Sequence, residues 1–387
     1  MDQDVRGGPD LVFDILRAGS GVVRELFLRS DYSSPEEIRP EIANFEKAAK
    51  TLRVRLVGPE DGLWTVEFTD LEREIRPASG EFERYYFNIK PIFDGRLWDV
   101  WSDVGYDVFQ KTIDRLVSFL SKLEHAFIPP KFIERIVEER ELVHQIRAFS
   151  ARRDYFTVHV SSNPGTRVVG DSADLRLKST NASRDFEIMV KKDRPIGPLV
   201  LHSMDLELKR GDAECRARIA SDGFLSQVGR GERDLYLGLK GHLLRFFEEQ
   251  DEWVKSMPRV QTEEIEDREH ALKFESKKIV QFGKPFVLNL SFELDRERLL
   301  KLRGLFTSNF HQSQFIGTIE REVPDKSFTV RTTDLRGGGD AILGAELGSR
   351  TASITPLVTT KIRTLERIYK VVLEKFDVDA DLVGPKS

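Results

Sequence analysis

The chain has 387 residues, of which 40% are hydrophobic and 32% charged, with 26 phenylalanines; this excludes a disordered polymer and supplies cores for about two to four domains. The formal charge of −5 excludes a global cationic footprint for nucleic acid, and the acidity is concentrated in residues 1–130, which carry 17 Lys and Arg against 24 Asp and Glu. A single cysteine, Cys215, rules out an internal disulfide and a cysteine-based zinc site, and no apolar run approaches the ~20 residues of a membrane helix, so a cytoplasmic protein is expected.

Short strands are expected at Leu11–Leu16 and Val22–Leu28. Ser34-Pro35-Glu36-Glu37 then reads as a helix start: Ser34 can cap, Pro35 suits the first helical position and Glu37 can close a capping box. Ile38, Ile42, Phe45 and Ala49 continue at helical spacing, and the helix should end near Lys50. Leu52, Val54 and Leu56 alternate with Arg53, Arg55 and Val57; after a turn at Pro59–Gly62, Trp64, Val66 and Phe68 alternate with Thr65, Glu67 and Thr69. Two more strands fall near Phe82–Ile92 and Leu97–Trp101. A helix from about Tyr106 to Phe127 carries Phe109, Ile113, Leu116, Phe119, Leu120, Leu123 and Phe127 on one face, and Pro129-Pro130 closes the unit.

The middle segment opens with a helix over 131–150, on Ile133, Val137, Val143 and Ile146. Tyr155–Val160 follows as a strand, with further strands near 167–178, 184–192, 198–209 and 214–220. A helix from about Arg233 to Val254 carries Leu239, Leu243, Phe246, Phe247 and Trp253. Met257-Pro258 and the acidic run Glu263–Glu269 are the best linker candidate.

The last third repeats the plan of the first. A strand at Phe286–Leu294 leads to Asp295 as helix cap, with the helix running to about Phe306; strands follow at Phe315–Val323, Phe328–Thr333, Ala341–Leu347 and Thr351–Pro356, and a final helix spans about Thr359–Phe376. Trp64–Leu71 resembles Phe328–Leu335 residue by residue, with Asp70 matching Asp334. The closing helices align with Ile113 against Ile362 and Phe127 against Phe376. An internal duplication is the reading adopted. The expected fold class is therefore α+β: repeated modules of curved antiparallel sheet over residues 1–130, 131–258 and 259–387. Each is closed by a long C-terminal amphipathic helix in a helix-grip-like arrangement, and the third module is read as a duplicate of the first.

No motif names a reaction. The seven histidines include no pair four apart on one helix and no His-Glu-x-x-His, so neither a metal nor a cofactor is expected. Walker A, Gly-x-Gly-x-x-Gly and Gly-x-Ser-x-Gly strings are absent, and Arg336-Gly337-Gly338-Gly339-Asp340 stands between strands, where a hairpin loop is the simplest reading. Asp70 with Arg73 and Arg76, and Asp334 with Arg336, occupy matching strand ends, either as polar binding sites or as aspartates that bond their own turns. Basic residues cluster at Arg147, Arg152 and Arg153, beside Tyr155 and Phe156, and at Lys191–Arg194; a solvated charged face is the leading reading, and the first set could alternatively touch nucleic acid. Trp98 and Trp101 with Tyr85, Tyr86 and Phe87 form an aromatic-rich set, with core packing as the default reading and an exposed binding patch as the alternative. The function expected is a non-enzymatic macromolecular interaction protein, an adaptor or subunit with a protein partner; the alternatives are nucleic-acid binding on a sheet surface, or a small-ligand sensor or enzyme with a sheet-helix cavity.

Overall fold

The computed structural model describes residues 22–76, 81–139, 142–153, 156–161, 174–179, 181–192, 194, 198–229, 231–267, 272–281, 283–308 and 313–385. The chain is α+β, with two large sheets that are almost wholly antiparallel and seven helices among the described residues. It forms two compact units, Met1–Leu243 and Leu244–Ser387. No helix of the described residues is long and apolar enough to cross a membrane.

The first unit begins with β1 (Arg24–Ser30), a 3-10 turn at Pro35–Ile38 and α1 (Arg39–Ala49). A meander follows: β2 (Leu52–Glu60), β3 (Leu63–Arg76), β4 (Glu81–Ile92) and β5 (Leu97–Ser102). Then come α2 (Tyr106–Phe119), β6 (Leu123–His125) and α3 (Pro130–Glu138). Next are β7 (Val143–Arg153), β8 (Phe156–Ser161), β9 (Asp174–Lys178) and α4 (Ala182–Phe186), which continues as a π-helical turn over Glu187–Lys191. The unit ends with β10 (Val200–Arg210), β11 (Ala213–Ala220), β12 (Phe224–Gln227) and the first half of α5 (Arg233–Lys255).

All twelve strands join one sheet, in the order β2-β3-β4-β5-β1-β12-β11-β10-β7-β8-β9, with β6 also on β1. Strand β1 is the seam. One edge pairs β5 from Arg24 to Arg29; the other is shared by β12, at Arg24–Leu26, and β6, at Leu28–Ser30. Gly223 permits this crowding: at φ +84°, a Cβ there would stand 2.7 Å from the Phe27 carbonyl oxygen and 2.8 Å from that of Ala126. On one sheet face Leu26, Trp98, Val100, Val66, Phe68 and Phe87 pack with Phe109, Ile113 and Leu116 of α2 and Phe45 of α1, burying apolar area at about 25 cal/mol per Å².

Several expectations are corrected here. The strand expected at Leu11–Leu16 lies outside the described residues. Ser34 caps the 3-10 turn through Glu36 N at 3.2 Å, while Glu37 reaches back to Ser33 and not to Ser34. The helix expected to reach Phe127 stops at Phe119: Leu123–His125 is extended because it fills the vacant edge of β1, so Leu123 enters the core from a strand. The helix expected over 131–150 stops at Glu138, and Val143–Arg153 is a strand. Its apolar residues Val143, Ile146 and Phe149 are three apart because bulges against β10 insert extra residues, so a bulged strand imitates a helical period. The strand expected at 184–192 is helical, started by Asn181 accepting from Arg184 N at 3.1 Å. Finally, β9 runs parallel to β8. Antiparallel neighbours can share a tight turn, whereas parallel ones need a crossover of about a dozen residues, and 162–173 intervene here.

The second unit contains the end of α5, a two-stranded sheet of β13 (Arg259–Asp267) and β14 (Leu272–Gln281), then β15 (Phe286–Asn289) and α6 (Arg296–Thr307). It continues with β16 (Phe315–Val323), β17 (Ser327–Asp334), β18 (Asp340–Glu346), β19 (Thr351–Pro356), α7 (Ile362–Lys375) and β20 (Asp381–Val383). Of the acidic run expected to be a linker, residues 263–267 belong to strand β13, with Glu266 opposite Lys273 in the ladder, and its last residues lie outside the described ones. The main sheet is ordered β16-β17-β18-β19-β15-β20. Asp295 caps α6 through Arg298 N at 2.8 Å, as its sequence position suggests. Phe286, Leu288, Val330, Leu343 and Ile354 of the sheet share the buried core with Leu302, Phe306, Leu365, Ile368 and Val372 of α6 and α7.

Candidate functional site

Three polar constellations stand out. The first is buried. Glu25 pairs with Trp101 and Phe27 with Asp99 across β1 and β5, which puts all four side chains on the face opposite α2. Helix α5 lays Tyr236, Leu239, Lys240 and Leu243, three or four residues apart, on one stripe. Lys240 Nζ lies 2.7 Å from Asp99 Oδ2 and 3.2 Å from Glu25 Oε1, and 5.1 Å from the centre of the Trp101 ring. Glu25 and Asp99 are 0% and 2% exposed.

One lysine cannot neutralise two carboxylates. Burial, with the charge of Asp99 adding to it, pushes Glu25 up to about 7 against the opposing pull of Lys240. Burial alone would lower Lys240, but Asp99 and Glu25 outweigh it and raise the ammonium above its usual range. The Tyr236 hydroxyl is driven well above the ordinary phenol value by burial and by the two acids. A carboxyl group poised near neutrality would suit proton transfer, but this one is sealed from any substrate. The cluster acts as an electrostatic lock between α5 and the sheet. Its sequence signal is faint: an acid inside the aromatic run Leu97-Trp98-Asp99-Val100-Trp101, and a lysine in register with the α5 stripe.

The second constellation is at the end of β17. Asp334 is 1% exposed, and its Oδ1 accepts from the backbone N–H groups of Arg336 and Gly337, both at 3.0 Å, and from the Arg367 guanidinium of α7. The Gly337–Gly339 loop is pressed on the first turns of α7: a Cβ on Gly337 would meet Asp334 Oδ2 at 2.4 Å, and one on Gly339 would meet Thr364 Oγ1 at 2.3 Å. The glycines serve close packing around a buried ion pair. Arg336 itself projects into solvent.

The third is an open sheet surface. Outward from the lock, the same face of β2, β3 and β4 is uncovered at its rim. Ladder pairing sets Arg53, Thr69 and Arg84 in one row, Arg55, Glu67 and Tyr86 in the next, and Val57, Thr65 and Asn88 in a third. Arg53, Arg55 and Arg84 are exposed, and Tyr86 is 47% exposed. Glu67 is held by Arg84 at 3.4 Å, and Thr65 Oγ1 donates to Asn88 Oδ1 at 3.1 Å.

Of the residues singled out from sequence, Trp98 and Trp101 are 0% and 1% exposed and belong to the interior. Asp70 is half-buried within β3, which runs on to Arg76, so it ends no strand, unlike Asp334. The side chains of Arg73, Arg76 and Arg153, and the whole of Tyr155, lie outside the described residues. Arg152 is exposed at the end of β7. The structure brings Asp334 and Arg336 together in one turn. The cationic rows on β2 and β4 escaped sequence reading because they join residues about thirty apart. Among the described residues no three His, Cys, Asp or Glu side chains gather to hold a metal. An open groove of about 580 Å³ lies between α1 and α2, lined by Phe45, Ala49, Asp114, Arg115 and Phe119. The sequence matches no known protein-family model, and no curated protein matches it.

Proposed function

We propose that the chain is a non-enzymatic macromolecular interaction protein, a subunit or adaptor of the cytoplasm, that presents the outer face of β2–β4 to its partner. The observation behind this reading is the cationic surface around an exposed tyrosine: Arg53, Arg55 and Arg84 are exposed on the rows that flank and contain Tyr86. Exposed aromatics and arginines are the side chains that dominate binding surfaces. The buried acids Glu25, Asp99 and Asp334 are ion-paired to Lys240 or Arg367, which supports a scaffold in preference to a catalyst.

The same reading treats β1–β6 and β15–β20 as two copies of one helix-grip-like module. In support, both groups share the order second-third-fourth-fifth-first-sixth strand. Helices α2 and α7 each have 14 residues, and Phe109, Thr112, Ile113, Leu116 and Val117 of the first correspond in burial to Leu365, Ile368, Tyr369, Val372 and Leu373 of the second. This register differs by seven residues, about two helical turns, from the one the apolar spacing suggests, because a stripe nearly repeats every seven residues. The segment β7–β12 follows another strand order and stands outside the repeat.

The test is affinity capture with tagged full-length chain against an Arg55→Glu/Tyr86→Ala variant in extract of the native host. A stoichiometric partner lost with the variant supports the proposal. A chain that stays a solitary monomer in that extract, or a partner indifferent to the variant, defeats it.

A further inference from the structure

We propose that the outer face of β2–β4 binds single-stranded nucleic acid, with Tyr86 as a stacking platform and Arg53, Arg55 and Arg84 on the phosphates; this rests on the reading of that face as the binding surface. The charge is local. The three rows hold three arginines and one acid, Glu67, which is 16% exposed and already paired with Arg84. A cationic face on a chain of net charge −5 selects an anionic partner and confines the contact to a short stretch. Arg53 and Arg55 stand two residues apart on one strand, about 6.7 Å, so their guanidinium groups line one track along β2. Tyr86 stands across from Glu67, with Arg55 at the other end of the same row, two strands away.

A base with both π-faces free can lie on the Tyr86 ring, and such stacking tolerates any sequence. A duplex hides its base faces and would meet only the arginines. An acidic peptide would use the arginines and leave the ring idle. The hydroxyls of Thr65 and Thr69 and the amide of Asn88 lie in adjoining rows, within the same face, as donors and acceptors for base edges.

The experiment uses the full chain and fluorescein-labelled oligothymidylate and oligouridylate of about fifteen nucleotides, titrated by anisotropy over a range of salt. With three phosphate contacts at ~0.7 each, log K should fall against log salt with a slope of about −2. Arg53→Glu/Arg55→Glu should abolish binding. Tyr86→Ala should weaken it roughly tenfold without changing the salt slope, and Tyr86→Phe should restore it. Circular dichroism of each variant should match the parent, since these side chains are exposed. Absence of oligonucleotide binding at low salt, or binding indifferent to all three variants, overturns the proposal. Equal or tighter binding of an oligonucleotide duplex overturns the stacking role. If poly-glutamate binds with the same arginine dependence while oligonucleotides do not, the nucleic-acid assignment falls and the interaction face stands. If captured partners also ignore the face variants, both fall.

Discussion

The strands β1–β6 and β15–β20 share one order, yet their far faces have opposite fates. In the first group, the side of β1 and β5 away from α2 is sealed, and Glu25, Asp99 and Lys240 are locked inside it. In the second, the side of the sheet away from α6 and α7 carries Thr329, Thr333, Ile342, Ser353 and Thr355, half-buried, with Val287 36% exposed. The outer rows differ as well. Where β2–β4 display Arg55, Glu67 and Tyr86, the aligned row of β16–β18 displays Thr318, Arg331 and Ile342, and Arg331 is tied to Glu320 at 2.8 Å. One topology thus supports a charged interior and a cationic rim in one place, and a neutral, threonine-rich surface in the other. Strand order sets which residues share a face; it does not set what covers that face or which charge it shows.

That contrast can be broken most forcefully at Lys240. Lys240→Met leaves two buried carboxylates without a cation and should cost about 3–5 kcal/mol, read as a lower urea midpoint for the transition of the first unit. A conservative exchange of the ion-paired Arg331 for Lys on the second sheet should move its midpoint far less, since exposed pairs contribute under about 1 kcal/mol.

The lock should also make stability depend on pH. Glu25 is raised in the folded state from 4.5 to about 7, so the folded chain binds more protons over that window. Its contribution is fully present below about pH 4.5 and is lost as pH rises to about 7, amounting to about 3 kcal/mol. Glu25→Gln should flatten that slope in denaturation curves at pH 5, 6 and 7; an unchanged slope would remove Glu25 as its source.

The matching aspartates offer a smaller test. Asp334→Ala removes the carboxylate shared by Arg367 and two backbone N–H groups in a buried corner and should cost about 2–3 kcal/mol. Asp70→Ala, at a half-buried position in mid-strand, should cost under about 1 kcal/mol. Equal losses would show that the two positions do the same work. At the bottom of the scale, Arg53→Ala and Arg55→Ala should shift stability by no more than about 0.5 kcal/mol, so any effect on binding is separable from folding.

The sequence by itself determined the local elements wherever period and cap agreed. The meander β2–β5, the Asp295 cap of α6, the strands β16–β19 and helix α5 are all legible in alternation, helical spacing and turn residues. It failed where pairing overrides pattern. Leu123 is extended because β1 has an empty edge, and Val143–Phe149 is a strand because β10 holds it through bulges. Only the tertiary structure decided that Lys240 meets Glu25 and Asp99 from 215 and 141 residues away, and that Arg53 and Arg84 share a row. The physical reason is range. Capping and periodicity act within one or two turns of chain, whereas burial and ion pairing depend on which distant segment closes over a face.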